Sequence, residues 1–296
     1  MRTAHVVGLL ILAAIWGGSF IFMRVLSPVL GPVFTTDARV VIAGIALVIY
    51  MRARQEPLEF GRYWKEYFVV GVANTAIPFC LFAYSALHIP AAYSAVANST
   101  SPLFGALFSA IWLAEPLTAR KITGLLFGMS GVGLIGEAGG GQAGGSLLAV
   151  SLGACLVAAI CYSLTGIYIK KFVRGPSPMG MATGSLLMAG LALLPGASLF
   201  PPTGSVTPLI VVDLLGLALL CSGVAYLIYY WLMADIGPTK ALTVTFLIPP
   251  FGILWGVIFL EEGLTWAMVA GCALVLIGTL LVVRDRPVLT PIAAAR

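Results

Sequence analysis

The chain is a succession of long apolar runs separated by short polar breaks, and within each run the apolar residues are continuous rather than alternating. Blocks of about 17 to 24 such residues match the length a helix needs to cross a hydrocarbon core roughly 30 Å thick. The lack of period-two alternation argues against a lipid-facing β-barrel. The pattern predicts spans at residues 5–25, 33–51, 67–87, 91–113, 121–137, 147–169, 179–198, 210–233, 239–260 and 265–283. They use nearly the whole chain, and the longest link, 52–66, is too short for a soluble domain. The expected fold class is an all-α integral membrane protein of ten transmembrane helices.

Composition agrees. Of the 296 residues, 60% are hydrophobic and 9% charged, against about 25% charged in soluble domains. Such a chain cannot build a polar skin. Cys80, Cys155, Cys161, Cys221 and Cys272 all fall inside predicted spans, with no CxxC pair or metal-ligand spacing, and read as packing residues. No metal and no cofactor is expected. The first span follows Arg2, lacks an A-x-A type cleavage site and should stay as an anchor.

Charge then supplies orientation. With a cytoplasmic N-terminus and ten spans, all 16 basic residues fall on the cytoplasmic side except Arg24, outside, and Arg39, within the second span. The cytoplasmic set is Arg2, Arg52, Arg54, Arg62, Lys65, Arg120, Lys121, Lys170, Lys171, Arg174, Lys240, Arg284, Arg286 and Arg296. This is a strong positive-inside bias. It predicts a multi-pass protein of a bacterial-type inner (plasma) membrane with both termini cytoplasmic. The net charge of +5 reflects topology and attraction to membrane lipid headgroups, not nucleic acid.

One stretch is written twice. PLFGALFSAIWLAEPLT (102–118) returns 147 positions later as PPFGILWGVIFLEEGLT (249–265). Pro102, Phe104, Gly105, Leu107, Ile111, Leu113, Glu115, Leu117 and Thr118 recur as Pro249, Phe251, Gly252, Leu254, Ile258, Leu260, Glu262, Leu264 and Thr265. Gly124 and Gly131 continue the register as Gly271 and Gly278. The chain therefore divides into two five-helix units, 1–140 and 141–296. Because five is odd, the second unit enters the membrane inverted, which puts Glu115 and Glu262 on opposite faces. Inverted-topology repeats are a device of secondary transporters, built around a midplane site.

Three features together, AAIWGGSFIFMR (13–24), Arg39 and the repeated P-x-F-G…E-x-L-T stretch, resemble the EamA-type drug/metabolite transporter superfamily. The resemblance covers essentially the whole chain, in two copies. Within the superfamily the chain is most similar to the YddG-type bacterial exporters of aromatic and other neutral amino acids. It implies amino-acid export by alternating access. One departure is AAICYSLTGIY (158–168), which stands where the first unit has its tryptophan-glycine pair, so a role for Trp16 belongs to one half.

The candidate site follows from polar and aromatic positions near mid-span. Proline lacks an amide hydrogen and frees the carbonyl four residues back. Pro102 and Pro249 are thus hinges that release the carbonyls of Asn98 and Thr245, again 147 apart, while Pro250 releases that of Phe246. Freed backbone in lipid must face protein or a wet cavity, so either a cavity or a kink satisfied by neighbouring helices accounts for it. Ser94, Asn98, Ser101 and Gly105 form one stripe. Thr75, Phe79 and Phe82 recur as Ser222, Tyr226 and Tyr229. With Trp16, Phe20, Tyr162 and Ser163 they describe an aromatic-walled chamber carrying hydroxyl and amide groups, suited to a small-molecule zwitterion. Lipid-facing or interhelical aromatics are the competing reading. Arg39 lies about 9 Å inside its span; it faces the site, snorkels outward or binds helix-end carbonyls. Small-xxx-small spacings at Gly105/Ser109, Gly252/Gly256 and Gly124/Gly128 predict close helix contacts. The assembly expected is a monomer or a weak homo-oligomer.

No carboxylate is expected at midplane, so transport should run without a buried-acid proton relay. Asp37, Glu137, Asp213, Glu261 and Glu262 cluster at the outer side. No HExxH, paired membrane aspartates or serine with a reachable base is present, so there are no catalytic residues and the protein is not an enzyme. The alternative cargo is a drug, a nucleotide sugar or another metabolite of the same superfamily.

Overall fold

The structure, a computed structural model, describes residues 2–139 and 145–283. Arg284, Arg286, Arg296, the Glu137 side chain and the 140/141 boundary lie outside the described residues. Those residues form helices and turns, with no strand among them. We number the helices α1 (Thr3–Leu30), α2 (Pro32–Ala53), α3 (Phe60–Ser85), α4 (Ala91–Asn98), α5 (Ser101–Trp112) and α6 (Ala119–Gly139). They continue as α7 (Gly145–Phe172), α8 (Pro178–Leu199), α9 (Pro208–Ile236), α10 (Ile248–Leu260) and α11 (Trp266–Val283). Among the described residues, seven helices are long and apolar enough to cross a membrane: α1, α2, α3, α7, α8, α9 and α11.

Two expected spans are not continuous helices. Residues 91–113 arrive as α4 and α5, and residues 239–260 as a helical turn (Pro238–Ala241), a 3-10 stretch (Leu242–Phe246) and α10. The cause is chemical. Ahead of each proline the backbone tightens to three-residue bonding, Thr100 N to the Ala97 carbonyl and Leu247 N to that of Val244, at repeat-equivalent positions. The Asn-Ser-Thr-Ser sequence at 98–101 supplies hydroxyls for the released carbonyls. Ser99 donates to Val96, Thr100 to Ala97 and Ser101 to Asn98, each at 2.7 Å. Neighbouring helices supply the rest: Ser163 donates to the Ser101 carbonyl at 2.7 Å and Thr279 to that of Ser99 at 3.1 Å. The carbonyl that Pro102 frees is therefore taken by Ser101, not left to a cavity.

The duplicated stretch folds alike in both copies. α5 ends near Ala114 (φ 52°) and α10 at Glu261 (φ 53°), equivalent residues in the left-handed region. The next amide turns back in each case, Glu115 N to Ser109 O and Glu262 N to Gly256 O. Left-handed backbone is strained for a residue with a Cβ, so the same strain at the same register marks a shared local design.

α6 lies along α11, and their glycines explain how closely. A Cβ on Gly124 would sit 2.5 Å from the Gly278 carbonyl oxygen, and one on Gly131 2.6 Å from that of Gly271. Each glycine faces the repeat counterpart of the other, so this small-residue contact lies within the chain. The Gly105/Ser109 expectation fails. Gly105 has no neighbour within 4 Å of a Cβ, and both residues border open space.

Candidate substrate cavity

A cavity of about 650 Å³ opens between α1, α2, α3, α5, α7, α9 and the 3-10 stretch. Its α7 wall runs from Tyr162 and Ser163 through Gly166 and Ile167 to Lys170, and Val283 borders it. The cavity therefore opens toward the Lys170 end of the bundle. The opposite end is filled by a buried apolar block that includes Leu26, Leu30, Ile89 and Tyr93.

Most residues singled out by pattern meet here. Trp16 and Phe20 come from α1, Phe79 and Phe82 from α3, Tyr162 and Ser163 from α7, and Tyr226 and Tyr229 from α9. Asn98, Ser101 and Pro102 line the wall beside the α4–α5 junction, and Thr245 and Phe246 line it from the 3-10 stretch. The rings form two clusters on the wall. Trp16 lies 5.4 Å from Tyr229 and 6.5 Å from Tyr226, while Phe82 lies 5.4 Å from Phe20 and 6.2 Å from Tyr162. Such offset and edge-on arrangements are the favoured ones for aromatic pairs.

Four candidates do not line it. Ser94 is buried against α7, where the Cys155 thiol donates to its hydroxyl at 3.7 Å. Pro249 is buried among helices. Thr75 and Ser222 are each 1% exposed, and in their place Asn74 and Cys221 reach the cavity. The reason is a change of helical period. Val72–Ala76 and Gly216–Val224 are π-helical, with bonds reaching one residue farther than in an α-helix. The extra residue per turn rotates each helix upstream of the aromatic pair, so the inward face shifts by one position. Asn74 and Cys221 are themselves 147 apart, and the repeat could have found them.

Arg39 faces inward rather than snorkelling. It is 4% exposed and lines the deep end. Its Nε donates to the Ser222 hydroxyl at 2.8 Å, and its guanidinium stands 4.0 Å from the centre of the Phe79 ring. Nη1 approaches the Met23 sulfur at 3.9 Å. No carboxylate among the described residues pairs with it. Asp37 departs from expectation in another way: it is 8% exposed, and its Oδ1 has no hydrogen-bond partner. It is nonetheless absent from the cavity wall.

The two repeated glutamates sit at opposite ends of the bundle and behave differently. Glu262 accepts from the backbone N–H of Ala91 at 2.7 Å and of Ala92 at 3.4 Å, capping the start of α4. A carboxylate there meets both unsatisfied amides and the positive end of the helix dipole. Glu115 instead meets Lys170 at 3.3 Å and Lys121 at 3.8 Å. The separation follows from α7. Its Ser151 carbonyl accepts from Ser85, near the Glu262 end, at 2.9 Å, and Lys170 lies about 28 Å farther along at 1.5 Å per residue.

Comparison with known proteins agrees with this architecture. The model of the EamA-like transporter family matches residues 4–136 and again 149–284. An uncharacterized transporter, YvbV, of Bacillus subtilis is 26% identical over 283 residues, covering 95% of this chain and 91% of that protein. Protein PecM of Dickeya dadantii is 26% identical over 275 residues, with 92% and 89% covered. A probable terminal-alkyne amino-acid exporter of Streptantibioticus cattleyicolor is 22% identical over 296 residues, with 96% and 95% covered. One crystal structure matches with a TM-score of 0.68 at 18% identity, over 95% of this chain and 96% of that one. The last match speaks for the fold alone.

Proposed function

We propose, from the premise that this chain belongs to the EamA-like transporter family, that it exports small metabolites, chiefly aromatic and other neutral amino acids. It is a membrane transporter and not an enzyme. The observation that carries the cargo reading is the aromatic-walled cavity, whose lining combines the Trp16, Phe82, Tyr226 and Tyr229 rings with Asn74 and Asn98. A flat apolar side chain gains from ring stacking, and amides and hydroxyls fix its polar end. The similarity to an amino-acid exporter supports the same class. A cationic drug finds less support, because no acidic residue is among those lining the cavity.

Our reading of the architecture is ten crossings in two head-to-foot units, 1–140 and 141–296, with the fourth and ninth bent ahead of Pro102 and Pro249. By the positive-inside bias the Lys170 end is cytoplasmic, so the cavity faces inward and the Glu262 end is shut. Alternating access then exchanges the roles of the glutamates. In the outward-facing state Glu115 leaves Lys121 and Lys170 to cap the turn Pro238–Ala241, the counterpart of the α4 start. It does so through the Thr239 amide alone, because Pro238 stands at the place of Ala91 and has no N–H. Glu262 then releases Ala91 and Ala92. The unequal 3-10 segments, brief in the first half and five residues long at Leu242–Phe246, fit halves caught in opposite phases of one cycle.

The test is substrate counterflow in proteoliposomes holding the purified protein, with aromatic amino acids, aliphatic ones, sugars and cationic drugs. Aromatic and large neutral amino acids should exchange fastest. Exchange confined to sugars or cationic drugs would overturn the cargo assignment.

A further inference from the structure

A guanidinium has five N–H donors and keeps its positive charge in proteins. Arg39 spends Nε on Ser222 and one Nη1 donor on a thioether, a weak acceptor. Its Nη2 is left without a hydrogen bond among the described residues, at the wall of a cavity. Phe79 below the guanidinium offsets part of the desolvation through its ring face, but a ring supplies no counter-charge. A buried cation with neither a carboxylate nor enough acceptors is normally prohibitive. The remaining donors of Arg39 face the cavity, where water or a bound solute supplies the acceptor.

We propose that Arg39 is the docking point for a substrate carboxylate, and that the cavity therefore selects molecules carrying a free carboxylate beside an apolar or aromatic group. The inference rests on the transporter reading of the cavity and deepens it. The carboxylate takes the free edge of the guanidinium, the planar pairing for which arginine is suited. The side chain then lies toward Phe82 and Trp16. An ammonium group is not required, since the wall offers it only amides, hydroxyls, carbonyls and ring faces. Phosphate compounds fit less well. Lys170, the other cation of the wall, stands at the mouth and is already paired with Glu115.

The experiment uses the full-length protein and five aromatic probes. Phenylalanine has both charged groups, phenylpropionate has the carboxylate alone, phenylalaninamide and phenethylamine have an ammonium but no carboxylate, and phenyl phosphate has a phosphate in its place. Counterflow of labelled phenylalanine is measured with each as competitor. Thermal stabilisation of the purified protein is measured with each as ligand, a readout independent of which compounds are carried. The two carboxylates should compete and stabilise at concentrations about tenfold lower than the amide and the amine. Arg39→Gln should erase that preference and Arg39→Lys should retain part of it. Should either variant fail to fold, the wild-type ranking alone decides. Equal action by acids and amides would overturn the role of Arg39 while leaving amino-acid transport standing. Stabilisation by phenylpropionate without phenylalanine counterflow would keep Arg39 and remove the amino-acid assignment. Tighter action by phenyl phosphate than by either carboxylate, or no stabilisation by any acid, would also overturn the proposal.

Discussion

Tyr226 and Asn98 show what one side chain can contribute to this site. Each faces the cavity, and neither is needed to hold a helix break closed, since the carbonyl of Asn98 is served by Ser101. Tyr226→Ala or Asn98→Ala should therefore lower transport about tenfold, equivalent to ~1.4 kcal/mol of lost binding. Expression and thermal unfolding temperature should hold steady. Ser163→Ala should behave differently, because its hydroxyl donates to the carbonyls of Ser101 and Ala159; that variant should lose stability as well as transport. Asp37 bears on energetics. It is buried but outside the cavity wall, so counterflow should stay flat across the pH range in which carboxylates and histidines titrate. A pH-dependent rate that disappears in Asp37→Asn would assign it a proton-carrying role instead. At this scale the sequence was informative about residue type and poor about direction. Counting along a helix gives the depth of Arg39, but only its contacts with Ser222 and Phe79 reveal that it turns inward.

Helices carry the next set of expectations. The aromatic pairs of α3 and α9 were legible because the same types recur 147 residues apart, but the positions one turn earlier were misassigned. A face drawn with 3.6 residues per turn includes Thr75 and Ser222, whereas the π-helical turns hand the cavity to Asn74 and Cys221. Hydropathy cannot register one extra residue in a turn. Nor could it foresee that hydroxyls at 98–101 would convert a proline kink into two helices. Close packing was readable where glycines repeated, and its partner was not. Gly131→Leu should destabilise the α6–α11 pair by about 1–3 kcal/mol, read as a lower unfolding temperature in detergent. Gly105→Ala, beside open space, should change stability by less than about 0.5 kcal/mol. The cap at α4 makes a sharper prediction. Glu262→Gln removes a charge from two amide contacts, so the outer end should open more often. The labelling rate of a thiol placed by Tyr93→Cys should rise at least about tenfold when reagent is added from outside. Glu115→Gln should leave that rate unchanged or lower it.

The molecule as a whole is read as two arms that exchange conformations about one cavity, and this depends on the second arm lying upside down. Leu117 and Leu264 are repeat-equivalent, exposed, and two residues beyond the glutamates. The decisive measurement places a single cysteine at either position in a cysteine-free background and adds a membrane-impermeant thiol reagent to intact and to inverted vesicles. Leu117→Cys should label only when the cytoplasmic face is exposed, and Leu264→Cys only from the outer face. Labelling of both from one side would place the arms parallel and contradict the exchange of arms on which the transport cycle is built.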